Sequence, residues 1–492
     1  MNTSEDKKGE SVEKWLTMSL LVAFLLNIKK VLIPNVLVEG SLFNEHLDLS
    51  VYLFDGVFLL WLGYIILKHE YLLLSIYKKM FHVEQSGNAD QQRMFHVEHT
   101  LKSITLLILA FILWQWLSVT QADQIPLAIR SALTMTEIGV FISIQLIRMF
   151  HVEQQVASNN VPRGTQDVLY RSIIKIMTYF ALFNAFVVFI QVSTQHSIGL
   201  KYLGESFLRV GNPGIATINL FGEKILRGYG LFPHPNILAA FLGLTLLVLL
   251  IHQNVPRGTI SSVETKNSSK TMFHVEHLVI GTLVMALMLT FSRTGILLTL
   301  LGSIFIVPRG TFPRFPLKKK IQLFHVEHWL MALAVILLVT LGGLTSLKSF
   351  SERELSLVEY SELSHFQLIG NGVASYGARL YSQIYSVNDW SIQPIHNYFL
   401  LTYYELGAIG LFLIIFLLVK VITEKKNDTM FHVEQLEGNH EKEMFHVEHS
   451  KEYLAVVFFL IVFALGDHFF YTIPQGQAIF WLGILVALKE RG

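Results

Sequence analysis

His396-Asn397-Tyr398-Phe399-Leu400-Leu401-Thr402-Tyr403-Tyr404-Glu405-Leu406-Gly407-Ala408-Ile409-Gly410 opens an apolar run that continues to Val421. The run is long enough to cross the hydrocarbon core of a bilayer, which takes about twenty residues. It begins at the end of a polar loop, after Pro394, so a histidine stands where a membrane helix meets water. Eleven more apolar segments can be drawn, at 15–36, 51–68, 103–120, 127–147, 171–193, 236–252, 278–292, 293–307, 329–347, 453–470 and 474–489. With 397–421 they make an all-α, polytopic membrane protein of about twelve transmembrane helices in one domain, residues 1–492. The 278–307 pair also reads as a re-entrant hairpin around Arg293.

Composition agrees. Hydrophobic residues make up 52% of the 492, charged residues only 15%, and mean hydropathy is +0.48. A soluble domain carries about 25% charged residues. No cysteine is present, which excludes disulfides, thiolate metal sites and cysteine nucleophiles. The polar start, Met1–Lys14, precedes an apolar stretch with no small-residue cleavage pattern, so a retained first helix is expected.

Lys and Arg crowd alternate loops: Lys78-Lys79, Arg148, Lys266 and Lys270, Arg314 with Lys318-Lys319-Lys320, and Lys420 with Lys425-Lys426. The positive-inside rule makes the loops 69–102, 148–170, 253–277, 308–328 and 422–452 cytoplasmic, with both termini inside. Two larger loops, 194–235 and 348–396, then lie outside. Lys29-Lys30 fit poorly, since they fall near the outer end of the first segment.

Two peptides recur. Phe-His-Val-Glu followed by His or Gln begins at Phe81, Phe95, Phe150, Phe273, Phe324, Phe431 and Phe445; Val-Pro-Arg-Gly-Thr begins at Val161, Val255 and Val307. Both are translations of one DNA palindrome, TGTTCCACGTGGAACA, in two frames. Frame one requires a preceding codon ending in TG, and Met or Leu precedes every copy; frame two requires one ending in T, and Asn160, Asn254 and Ile306 comply. The palindrome resembles bacterial chromosome-partition sites, a property of the gene and not of the protein. His-Val-Glu-His has the look of a metal-binding fragment, but the copies alone supply eleven of the twenty histidines, and a DNA element explains each one. All ten copies fall in the loops assigned to the cytoplasm, where insertion costs least. Function is therefore sought in the outer loops.

Those loops hold Arg209, Arg227, Arg353, Arg379 and His396, with Arg293 at an outer helix end. Positive charge there runs against the usual bias and calls for an anionic partner. A guanidinium is a planar, permanent cation that pairs bidentately with phosphate. Arg293 alone is equally well read as snorkelling to the interface; Arg227 and Arg293 together favour phosphate. His396 can take a proton near neutral pH. Gly407 and Gly410 are expected to let helices pack closely, Asn236 to cap the helix it begins, and Asp467-His468 to serve a helix end. Glu405 is a candidate buried partner.

These elements resemble the O-antigen ligase family, which includes lipid-linked glycan polymerases and protein O-oligosaccharyltransferases. The resemblance rests on Leu226-Arg227-Gly228-Tyr229-Gly230 running into Pro235-Asn236, Leu289-Thr290-Phe291-Ser292-Arg293-Thr294-Gly295, the Ile369-Gly370-Asn371-Gly372 turn, and His396-Asn397 followed after nine residues by Gly407-x-x-Gly410. It spans roughly residues 170–420. The turn departs from the family's Gly-x-Gly usage by carrying Asn371 between the glycines and Val373 after them. The resemblance implies a C-type glycosyltransferase-like fold and a cofactor-free, metal-independent transfer on the extracytoplasmic face of the plasma membrane. The implied donor is a glycan on undecaprenyl diphosphate; the acceptor is a glycan, lipid or protein, and nucleic acid is not a partner. Arg227 and Arg293 would hold the diphosphate, and His396 would deprotonate or orient the acceptor hydroxyl. Arg209, Arg353, Arg379, Asn236 and Asn397 would bind substrate. A polymerase of the same family and a membrane transporter are the competing readings. A transporter should break its helices around ionisable groups near the midplane.

Overall fold

A computed structural model describes residues 3–34, 47–68, 89–157, 167–220, 222–254, 266–306, 367–383, 393–434 and 443–489. The chain is mostly helical. The helices are α1 Thr3–Leu25, α2 Leu53–Lys68, α3 Ala89–Ser118, α4 Ile125–Ala157, α5 Asp167–Thr194, α6 Pro235–Asn254, α7 Lys266–Leu289, α8 Arg293–Ile306, α9 Ser375–Gln383, α10 Tyr398–Glu434, α11 Glu443–Gly466, α12 Phe469–Thr472 and α13 Pro474–Leu488. Among the described residues two short pairs of antiparallel strands are present: β1 Lys29–Ile33 with β2 Leu49–Tyr52, and β3 Thr217–Leu220 with β4 Glu223–Leu226. The apolar segment at 329–347 and Arg353 lie outside the described residues.

Among the described residues, five stretches are long and apolar enough to cross a membrane: Ser103–Gln121, Ile125–Arg148, Tyr170–Thr194, Pro235–His252 and Tyr398–Thr423. The apolar parts of α7, α8, α11 and α13 are shorter. Large apolar side chains such as Leu59, Leu60, Leu113, Phe186, Leu297 and Phe412 are exposed on the helices. Water penalises such a surface and lipid does not. Helix α13 is the opposite case, buried along its whole length and packed by α1, α4, α6, α10, α11 and α12. Beyond Gln475 and Gln477 in its first turn, which bond Leu26 O and Tyr471 O, its sequence is apolar on every side, as a helix enclosed all round should be.

The first helix ends earlier than the hydropathy implies. The chain leaves it at Leu25, and Lys29-Lys30 lie in strand β1 beyond its end, where Lys29 Nζ stands 5.8 Å over the Tyr52 ring. The two lysines therefore lie outside α1. The repeats also behave differently from simple loop insertions. Helices α3, α4, α7, α10 and α11 run into the copies beginning at Phe95, Phe150, Phe273, Phe431 and Phe445. Phe-His-Val-Glu contains no Gly or Pro, so it prolongs a helix. The other five copies lie outside the described residues.

Helix α10 is broken. Gly407 adopts φ 70°, ψ −171°, and the backbone groups released by the break are taken up by the turn at 367–372. Asn371 N donates to Tyr404 O at 3.0 Å and Gly372 N to Glu405 O at 2.9 Å; in return Ala408 N donates to Gln367 O at 3.1 Å and Ile409 N to Leu368 O at 3.3 Å. Trp114 Nε1 on α3 donates to Leu406 O at 2.8 Å. Gly407 thus admits another backbone into the helix: a Cβ there would lie 2.4 Å from Leu368 O, and one at Gly370 would lie 2.4 Å from Glu405 O. The packing role expected of Gly407 is replaced by this one. Glu405 is buried beside the break, and its carboxylate accepts Ala374 N at 2.7 Å and Tyr376 N at 3.2 Å. It anchors the start of α9.

Candidate active site

The segment Arg227-Gly228-Tyr229-Gly230 is moulded onto the last turns of α5. Gln191 Oε1 accepts Gly230 N at 2.9 Å, Gln191 Nε2 donates to Gly230 O at 2.9 Å, and Asn184 Oδ1 accepts Leu231 N at 2.8 Å. Both glycines are required by this fit. A Cβ on Gly228 would strike Val188 at 2.6 Å, and Gly230, at φ 61°, would place one 2.5 Å from Asn184 Oδ1. Gly228 N in turn donates to Leu289 O at 2.9 Å, which fastens the segment to the end of α7.

Arg227 is held from two sides. Its Nε donates to Thr290 O at 2.8 Å, and one terminal nitrogen donates to Asn236 Oδ1 at 2.8 Å. The guanidinium plane is therefore fixed between the α7–α8 turn and the start of α6. Asn236 does not cap its helix as expected. Its amide passes the interaction on, Nδ2 donating to Asp467 Oδ2 at 3.0 Å. Asp467 Oδ1 accepts His468 N at 2.8 Å, the His468 ring bonds Thr472 Oγ1 through Nδ1 at 2.8 Å, and that ring meets His396 edge to face with centroids 5.1 Å apart. Side-chain hydrogen bonds thus run from Arg227 through Asn236 to Asp467, Asp467 holds the His468 backbone amide, and the His468 ring meets His396 edge to face. Asp467 and His468 are 7% and 6% exposed, whereas Arg227, Asn236 and His396 are half-buried. The buried pair supports the accessible groups.

Arg293 is the first residue of α8 and is exposed. It follows Ser292, whose Oγ faces Gly295 N at 3.4 Å in the manner of an N-cap, and it stands three residues after the carbonyl that holds Arg227. Arg227 thus spans from the turn before α8 to the start of α6, and a helix start carries a partial positive charge.

The remaining candidates sit elsewhere or are otherwise engaged. Asn397 caps α10 by accepting Leu400 N at 3.0 Å and donates to Leu465 O at 3.0 Å; these are the contacts of a cap that ties α10 to α11. Arg209 is exposed and bridges His196 through the backbone. Arg379 Nε pairs with Asp123 at 2.6 Å, and another of its nitrogens bonds Asn371 Oδ1. Burial works against that charge, but the bond and field of Asp123 outweigh it and raise the guanidinium's pKa above its ordinary value. Arg379 thereby braces the turn that enters α10.

No family model and no curated protein matches this chain.

Asp467-His468 stands at a helix end as the sequence implies, between α11 and α12, and it also lies between Arg227 and His396, which the sequence does not reveal. The available signal was an Asp-His dipeptide, ionisable and set between two apolar runs, a position where such residues are costly.

Proposed function

We propose that the protein transfers a glycan from a polyprenyl diphosphate carrier, of the undecaprenyl kind, to an acceptor hydroxyl at a membrane surface, in the manner of an O-antigen ligase. The observation that carries this reading is the series of contacts from Arg227 through Asn236, Asp467 and His468 to His396, close to the starts of α6 and α10. The acceptor oxygen attacks the anomeric carbon, the bond from that carbon to the diphosphate oxygen breaks, and His396 receives the hydroxyl proton. The departing diphosphate keeps the electron pair, and Arg227 with Arg293 neutralises the growing charge, helped by the helix starts. The twelve-span topology, both termini inside and the site on the extracytoplasmic face of the plasma membrane belong to the same proposal. A polymerase would use the same residues with a carrier-linked acceptor.

The break in α10 with buried Glu405 is the feature a transporter would share. Here the break is filled by the 367–372 backbone and the carboxylate is occupied by Ala374 and Tyr376 amides, an arrangement that anchors a loop.

The test is transfer in vitro from a purified lipid-linked donor, with donor binding measured alongside. Arg227→Ala and Arg293→Ala should each lower transfer about a hundredfold or more, and Lys should rescue poorly because an ammonium lacks the fork. His396→Ala should lower turnover roughly a hundred- to ten-thousandfold with donor binding nearly intact. Normal transfer by Arg227→Ala would sink the phosphate role; loss of binding in proportion to activity would make His396 a binding residue.

A further inference from the structure

Residues 196–209 form a closed excursion after α5, its ends bridged by His196 and Arg209 and by Ser197 N donating to Leu208 O at 3.0 Å. A carboxylate sunk inside it holds its shape. Glu205, 7% exposed, accepts Ile198 N at 2.8 Å and Gln191 Nε2 at 2.9 Å on one oxygen, and Leu200 N at 2.6 Å on the other. Leu208 packs beneath it with Leu226 and Tyr229. Yet this well-bonded loop leaves its largest apolar side chains outside: Tyr202 is 87% exposed and Phe207 75%, with Leu203 and Lys201 beside Tyr202 exposed as well. A loop that spends a buried carboxylate on rigidity while displaying aromatic rings has a surface to meet.

Its position says which surface. Gly204 lies directly on the chain just past α1, where a Cβ would come within 2.7–2.9 Å of Asn27 backbone atoms, and Gln191 in the last turns of α5 holds Glu205 from the other side. The loop is therefore level with the apolar end of α1 and the end of the apolar helix α5. On α5, one of the spanning stretches, Tyr179, Phe183 and Phe186 are exposed at helical spacing along one face. Tyr with Lys at such a level is the composition that settles at the boundary of acyl chains and headgroups.

We propose that the turn Leu200–Phe207 is a rigid membrane-surface anchor, with Tyr202, Leu203 and Phe207 seated in the acyl–headgroup boundary of the leaflet on the side of the Arg227 site. The proposal does not depend on the transferase reading. The chain has no cysteine, so single spin labels can be placed without background. Full-length Tyr202→Cys, Phe207→Cys and, as the water-facing reference on β4, Lys224→Cys would be labelled and placed in phosphatidylcholine nanodiscs. Collision with oxygen, which partitions into lipid, is compared with collision with a water-soluble nickel chelate. Oxygen should exceed nickel at 202 and 207, and nickel should exceed oxygen at 224. Nickel access at 202 and 207 equal to that at 224 overturns the anchor. Exclusion of both reagents also overturns it, because protein and not lipid would then cover the turn.

Discussion

At the scale of the residue, the site is a matter of who holds whom. Arg227 owes its orientation to one carbonyl and one amide, and that amide is itself turned by Asp467. Asn236→Ala should therefore weaken transfer about ten- to a hundredfold, the range expected for losing one hydrogen bond to a charged group, although Asn236 is not needed to start α6. Steady-state kinetics on the purified variant would check this, and unchanged kinetics would mean that the Asn236 bond is not needed to aim the guanidinium. Asp467→Asn keeps an acceptor for one of its two partners and should cost less than Asp467→Ala. Arg227 and His396 were legible as candidates because each is a polar or charged residue in a polar loop that leads into an apolar segment. Their supports were not, since Asp467 is separated from Asn236 by more than two hundred residues and nothing local marks the pairing.

Elements show a second kind of dependence. Helix α10 reads from sequence as one continuous apolar span, and Gly407 and Gly410 as small residues for helix packing. The structure instead inserts a turn at Gly407, and the exchange of four backbone hydrogen bonds between 367–372 and 404–409 satisfies groups that a break in lipid would otherwise leave exposed. Gly407→Ala should then be severe: the residue sits at φ 70° and its new Cβ would meet Leu368 O. A cost of about 1–3 kcal/mol for the strained backbone alone is expected, with more from displacement of the turn. Thermal unfolding in detergent is the measurement. Gly281, which has open space around the added methyl, serves as the control, since Gly281→Ala should leave unfolding unchanged or slightly favoured. Equal stability of the two variants would show that the turn is not what Gly407 accommodates.

On the scale of the whole molecule, charge bias and repeat positions point to one topology. Reporters fused at Asp90, Asn160, Thr265, Pro316 and Gly438 should all report the cytoplasm, because each lies in a Lys/Arg-rich or repeat-bearing segment. An outside signal from any of them would break the alternation and move the proposed site to the other face or abolish it. The helices that run through five of the repeats fit this scheme: a helix can grow past the membrane edge into water without disturbing the packed part, whereas growth inside the core would shift every contact beyond it.

What the sequence determined by itself was the solvent and the class of structure. Long apolar blocks and few charges point to a helical membrane protein, because in lipid a helix satisfies its backbone groups within its own element. It also marked Arg227, Arg293 and His396, since a charge or an imidazole at the mouth of an apolar segment is visible one residue at a time. The tertiary structure alone decided that the α1 segment stops at Leu25, that α10 is interrupted, that α13 is enclosed, and that Asp467 and His468 link the arginine to the histidine. Each of these depends on partners distant in the chain. A hydropathy pattern records how much a residue prefers lipid to water, and carries no information on which other backbone will fill a break or which carboxylate will turn an amide.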